Sequence, residues 1–252
     1  MLDGDKLAGM VKSYVSYYEI PMESRGNDYP KVTISKKTCN YNARQIDLWL
    51  RFAMGKASAQ ELVRLGVSKD IGEAEIFGDV TELDAYKYHG RIIGNLTFDK
   101  ETCPKFVEIE KLMRRGNAGI WQTVIYSNFD KEGGLLFADY LKHKNIKYQI
   151  FKPSLSYNRK KNILNMFARE EISVLILHPS YKEGLSISNA RQMHILEPVE
   201  NQAVLEQIMA RVARYGSHTS LDIKERSVSI YLWTSVASSF YSKLIRFGQS
   251  QK

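Results

Sequence analysis

Gln207-Ile-Met-Ala-Arg211-Val-Ala-Arg214-Tyr-Gly-Ser-His218 is the stretch on which the reading of this chain turns. Gln207, Arg211 and Arg214 fall at i, i+4 and i+7, a spacing that puts all three on one face of a helix predicted over 202–215. Two guanidiniums and an amide pointing the same way are poor material for a core. They suit a polyphosphate or a facing carboxylate, because arginine presents a planar fork of donors that stays protonated. The bland alternative is a solvated basic helix face. What surrounds the helix decides between the two.

Working outward, short apolar runs at 123–126, 148–151, 174–177, 192–196 and 227–234 read as strands. A helical apolar stripe over 105–115 precedes the first, and stripes over 133–144 and 158–169 separate the first three. Strands alternating with helices predict an α/β fold with a parallel sheet covered on both faces. In such sheets ligands sit at the carboxyl ends of strands, which directs attention to 178–188 and 197–201. Upstream the pattern is weaker. Residues 1–40 read as irregular, with Tyr14, Tyr17 and Tyr18 clustered there; 43–66 read as one or two helices; 67–100 read as a loop-rich insert. The expected division is an extension over 1–102, a lobe over 103–236 and a tail over 237–252.

The order of residues is specific. It runs Tyr126-Ser127-Asn128-Phe129, Arg159 with Phe167, Val174-Leu-Ile-Leu177, Glu183-Gly184-Leu-Ser186-Ile-Ser188, Gln192-Met-His-Ile-Leu-Glu-Pro198, and then Gln207, Arg211 and Arg214 followed by Ser217-His218. This order resembles the C-terminal RecA-like lobe of SNF2-like superfamily 2 helicases and translocases. It most resembles the helicases of large nucleocytoplasmic DNA viruses, a group that includes relatives of poxvirus transcription-associated ATPases. The resemblance implies a RecA-like, P-loop-NTPase-like sheet and a set of roles. Ser127 and Asn128 match motif IV, beside a nucleic-acid backbone. Glu183, Gly184 and Ser186, with Ser180 and Lys182 in the preceding loop, match motif V, which couples the nucleotide site to the strand. Gln207, Arg211 and Arg214 match motif VI, whose arginines reach the phosphates of ATP. An arginine set against developing phosphoryl charge stabilises the transition state enough to speed transfer by roughly 10³ or more.

The chain departs from the family pattern at Ala210, where glycine usually precedes the first arginine, and in bulky Tyr181-Lys182. It also contains no Gly-x-x-x-x-Gly-Lys-Ser/Thr and no Asp-Glu-x-His. The expectation is therefore a motor lobe inactive alone. ATP would be shared with an N-terminal ATPase lobe supplied in cis or in trans, Mg²⁺ would be held on that other lobe, and the partner would be nucleic acid, DNA in preference to RNA.

Composition sets the remaining bounds. The sequence has 252 residues, 25% of them charged, a net charge of +8 and two cysteines, Cys39 and Cys103. Two cysteines without ligand-spaced partners argue against a disulfide scaffold or a zinc site, and for a reducing intracellular compartment (host cytoplasm, viral factory or virion, if the source is viral). No apolar run is long enough for a membrane helix. The positive charge favours an anionic partner. Two other readings stay open. The loop 179–188 resembles the nucleotide-sugar loop of two-domain glycosyltransferases, although the helix and second glutamate normal there are missing. A docking module that kept the lobe fold without catalysis shares every feature named above.

Overall fold

The computed structural model describes residues 26–53, 58, 60–61, 88–98, 102–116, 119–181 and 185–236. Tyr14, Tyr17 and Tyr18, most of the 67–100 insert, the 237–252 tail, and Lys182, Glu183 and Gly184 lie outside the described residues.

Six parallel strands form one sheet in the order β1-β6-β5-β2-β4-β3. They are β1 (Lys31–Asn40), β2 (Thr123–Tyr126), β3 (Tyr148–Phe151), β4 (Val174–Leu177), β5 (Gln192–Ile195) and β6 (Ser227–Val236). The central strands β2, β4 and β5 are buried at every position. Runs such as Val174-Leu-Ile-Leu177 read as continuously apolar for that reason: a parallel strand with helices above and below has no wet face. One face packs α5 (Tyr157–Ala168) and α6 (Gln202–Met209) through Ile163, Phe167 and Ile208. The other packs α3 (Pro104–Met113) and α4 (Leu136–His143) through Phe106, Ile109, Phe137 and Leu141. A third, smaller cluster joins α1 (Ala43–Ala53), α2 (Tyr88–Ile93) and Phe129.

Local chemistry explains the helix starts. Pro104 opens α3, where its missing N–H costs nothing. Asn42 and Gln45 cap α1 reciprocally, Asn42 N–H to Gln45 Oε1 at 3.0 Å and Gln45 N–H to Asn42 Oδ1 at 2.8 Å. Ser156 and Asn201 accept backbone N–H groups at the starts of α5 and α6.

The α/β fold expected for 103–236 is present, with two corrections. The sheet does not begin at 103: residues 31–40, read from sequence as irregular, form β1 and pair with β6 along their whole length. This is an edge strand with little burial, so it lacks the apolar signature by which inner strands are recognised. The helix expected over 202–215 stops at Met209. Its continuation is a series of tighter turns, with Arg211 N–H on Ile208 O and Val212 N–H on Met209 O, both at 3.1 Å.

Candidate functional site

The strand order reverses between β2 and β5: β3 and β4 lie to one side of β2, β5 and β6 to the other. That crevice is where an open α/β sheet gathers its functional loops. Ser127, Asn128 and Phe129 leave β2 there, and Glu197 and Pro198 leave β5 beside them.

Glu197 is 1% exposed and acts as the common acceptor. Ser127 Oγ donates to it at 2.8 Å, Asn128 N–H at 3.0 Å, and Asn95 Nδ2 donates as well. Lys105, also buried, donates its Nζ to Leu196 O at 2.7 Å next door. Burial raises the Glu197 carboxyl, opposed by Lys105 and by the three donors; burial lowers the Lys105 ammonium, opposed by Glu197. The loop after β2 closes onto this carboxylate because residue 133 is glycine. A Cβ there would sit 1.9 Å from Ser127 Oγ and 3.3 Å from Glu197 Oε1. Arg91 adds a brace, donating to Pro198 O at 3.1 Å with its guanidinium 5.5 Å from the Phe129 ring centre. Residues 88–98, expected to be insert, thus form part of the lobe. Sequence reasoning pointed to 197–201 but gave Glu197 no role, and it missed Asn95 and Lys105; the available signal was a carboxylate placed just after a buried strand.

The second assembly lies at the opposite end of the sheet. Arg211 is 9% exposed, with Nε–H on Gln207 O at 2.9 Å and Nη1–H on Leu185 O at 3.0 Å. Ile187 N–H returns a bond to Arg211 O at 2.9 Å. Asn189 N–H bonds Ser217 O at 3.0 Å, and His218 Nε2 lies 2.7 Å from Ala190 O. His218 is fully buried, and burial lowers its pKa, so it is a neutral donor to that carbonyl. The loop after β4 and the turn after α6 are thereby stitched together at four places. Gly216, at φ +73°, makes the turn that permits it.

The expectation that Gln207, Arg211 and Arg214 share one helical face is corrected by this geometry. Because α6 ends at Met209, Arg211 turns inward to the carbonyls of the neighbouring loop, whereas Gln207 and Arg214 are exposed. Ser127 is fully buried with its hydroxyl given to Glu197. Asn128 is half-buried and reaches Pro198 O at 3.3 Å. Ser180 and Ser186 are exposed; Ser180 Oγ lies 2.8 Å from His178 Nδ1, which also accepts the Ser180 N–H. Arg214 is a donor set suited to phosphate, and among the described residues no group of three or more His, Cys, Asp or Glu side chains could hold a metal. No helix among them is long and apolar enough to cross a membrane.

Residues 104–216, which hold most of both assemblies, match the model of the helicase conserved C-terminal domain. Over that stretch the chain is similar to a helicase C-terminal domain. Among its relatives, a protein of Acanthamoeba polyphaga mimivirus named as an ATP-dependent RNA helicase is 35% identical over 154 residues, 61% of this chain and 34% of that protein. The chain thus matches about a third of that relative's length. Two solved structures share the helicase-lobe fold. The C-terminal part of the Fun30 ATPase domain superposes with a TM-score of 0.54 at 15% identity, covering 86% of this chain and 89% of that one. The SWI2/SNF2 ATPase core of Sulfolobus solfataricus, solved with double-stranded DNA, superposes with a TM-score of 0.57 at 13% identity, covering 98% and 50%.

Proposed function

We propose that this helicase lobe is the second half of an ATP-dependent nucleic-acid motor, and that Arg214 is the residue it presents to the phosphates of ATP. The observation that carries this reading is the division of labour after α6. Arg211 is spent on Leu185 O and Gln207 O, while Arg214, three residues on, is exposed on a turn that Arg211 and His218 hold in place. A guanidinium on a fixed turn is a preorganised charge, and preorganisation is what makes an arginine effective against a transferring phosphoryl group. ATP would lie between this lobe and a phosphate-loop lobe provided in cis or in trans, which would also hold Mg²⁺. Gln207, exposed on the last turn of α6, is the second polar group available to the nucleotide. In this reading Arg211 is a positioning residue, acting through the turn, and the loop containing Ser180 and Ser186 faces nucleic acid.

The test is ATP turnover by the complex isolated from its source through this chain. Arg214→Ala should lower kcat by about 10³-fold, Arg214→Lys should recover only part of it, and nucleic-acid binding should persist in both. Turnover unchanged by Arg214→Ala would refute the assignment. The same preparation, offered RNA and double-stranded DNA, distinguishes the two partners suggested by the viral relative's name and the archaeal complex.

A further inference from the structure

Trp121 stands just before β2, on the loop that joins α3 to that strand, and two arginines lie over its ring. The Arg115 guanidinium is 4.4 Å from the indole centroid, and that of Arg191, the residue before β5, is 5.5 Å from it. The three line one small cavity, about 40 Å³, together with Ile120, Gln122 and Leu221. Its floor is fixed. Gln122 is buried and gives its amide to Phe167 O and to Ile172 O, the latter at 2.8 Å, while its carbonyl accepts the Arg191 N–H at 2.7 Å. The loop is fixed as well, by Trp121 N–H on Met113 O at 2.9 Å and Arg115 N–H on Gly119 O at 2.8 Å.

The donors around this cavity are unused. Among the described residues the side chains of Arg115 and Arg191 donate to no protein group, and neither is paired with a carboxylate. Arg114, by contrast, is held by Glu110. The Trp121 indole N–H meets no protein acceptor among the described residues either, whereas Trp233 gives its own to His194. A guanidinium lying over an indole turns its face to the ring and keeps its edge donors for a carboxylate. Tryptophan and arginine, half-buried beside apolar side chains, are the residues that carry most of the binding energy at protein interfaces. Ile223 adds to the apolar part: it is 62% exposed on the turn 223–225 before β6. Glu170 and Glu225 border the cavity without pairing with either arginine. Two carboxylates on the rim repel a polyphosphate backbone but tolerate a peptide that brings a single carboxylate among neutral or basic groups.

We infer that the amino end of β2 and β5 is a docking site for a partner protein, which sets an Asp or Glu carboxylate on the Arg115 and Arg191 guanidiniums and lays a neighbouring apolar side chain against Trp121. The site uses neither Arg214 nor the loops at the carboxyl end of the sheet. It therefore goes beyond the motor-lobe reading and stands or falls without it.

A random peptide library displayed on phage, panned on the full 252-residue chain, tests it, with fluorescence anisotropy on the labelled peptides that are enriched. Those peptides should carry Asp or Glu close to Leu, Ile or an aromatic residue. Trp121→Ala and Arg191→Gln should each weaken their binding about 10-fold. Arg115→Gln, at an exposed position that the fold does not depend on, should weaken it in the same direction. Arg159→Gln, an equal loss of charge on α5, should change it by less than about 2-fold. Replacing the peptide's carboxylate by its amide should cost the parent chain about 10-fold and the Arg191→Gln variant little more, because the two changes remove one contact. Enrichment of no acidic peptide would overturn the inference. So would binding that Arg115→Gln and Arg191→Gln leave intact in variants whose urea midpoints match the parent chain. Displacement of the bound peptide by ATP or by oligo(dT) would assign the cavity to phosphate and overturn the protein partner.

Discussion

The two ends of the sheet solve one problem with opposite chemistry. At the carboxyl end the loop after β2 offers donors, the Asn128 N–H and the Ser127 hydroxyl, and a buried carboxylate, Glu197, collects them. At the amino end the loop before β5 offers acceptors, Leu185 O and Ala190 O, and buried donors from Arg211 and His218 meet them. A loop that crosses the end of a buried sheet must satisfy its backbone groups without water. The sign of the side chain recruited follows from which backbone groups face inward. The difference has consequences: the carboxyl end relies on a carboxyl group whose charge is costly to bury, the amino end on hydrogen bonds to carbonyls.

The largest effect should come from Glu197→Ala. It removes the shared acceptor of three buried donors, from Ser127, Asn128 and Asn95, and leaves them unpaired, at a cost of about 3–5 kcal/mol read as a fall in the urea midpoint. A loss below about 1 kcal/mol would mean that the Glu197 site is open to water and the comparison fails. Arg211→Ala should cost about 2–3 kcal/mol, since its buried guanidinium donates to two carbonyls.

Between the two ends, His194 provides a sharper test in pH. It is fully buried, accepts the Trp233 indole N–H at 3.0 Å on Nδ1, and burial lowers its pKa to about 3. Nε2, 3.1 Å from Gln192 Oε1, is then the donor. A histidine held neutral in the fold and free to protonate when unfolded contributes stability that is complete above pH about 6.5 and lost as pH falls toward 3. From pH 6.5 to 5 that loss is on the order of 2 kcal/mol, and His194→Gln should flatten this part of the stability profile. An unchanged slope would assign the acid sensitivity to other groups. The smallest effect belongs to Arg214→Ala, which should shift stability by less than about 0.5 kcal/mol. Stability insensitive at residue 214 but sensitive at 211 is the signature of one arginine presented and one consumed.

Much of this was legible in the sequence. Strands β2 and β4 could be placed to the residue because a buried parallel strand is largely apolar and bounded by polar turns, and β3 because its short Tyr148–Phe151 run stands between polar stretches. The residue order that carries the resemblance, from Tyr126 to His218, was likewise readable, because each piece of it is local in the chain. Two things were not. Strand β1 has ten residues of mixed polarity, and it is a strand because β6 lies beside it. The end of α6 was also hidden, since a periodic pattern through Arg214 gives no hint that Leu185 and Ile187 draw Arg211 out of helical register.

The sequence by itself determined the α/β alternation, the positions of the inner strands and the close spacing of Arg211 and Arg214, because hydrophobic period and residue type act over a few neighbours. Only the tertiary structure decided which arginine is available and that Glu197 gathers the loop after β2. Those outcomes depend on contacts between residues 26 to 107 positions apart, as in Arg211 with Leu185 and Arg91 with Pro198, where burial rather than local pattern sets the free energy.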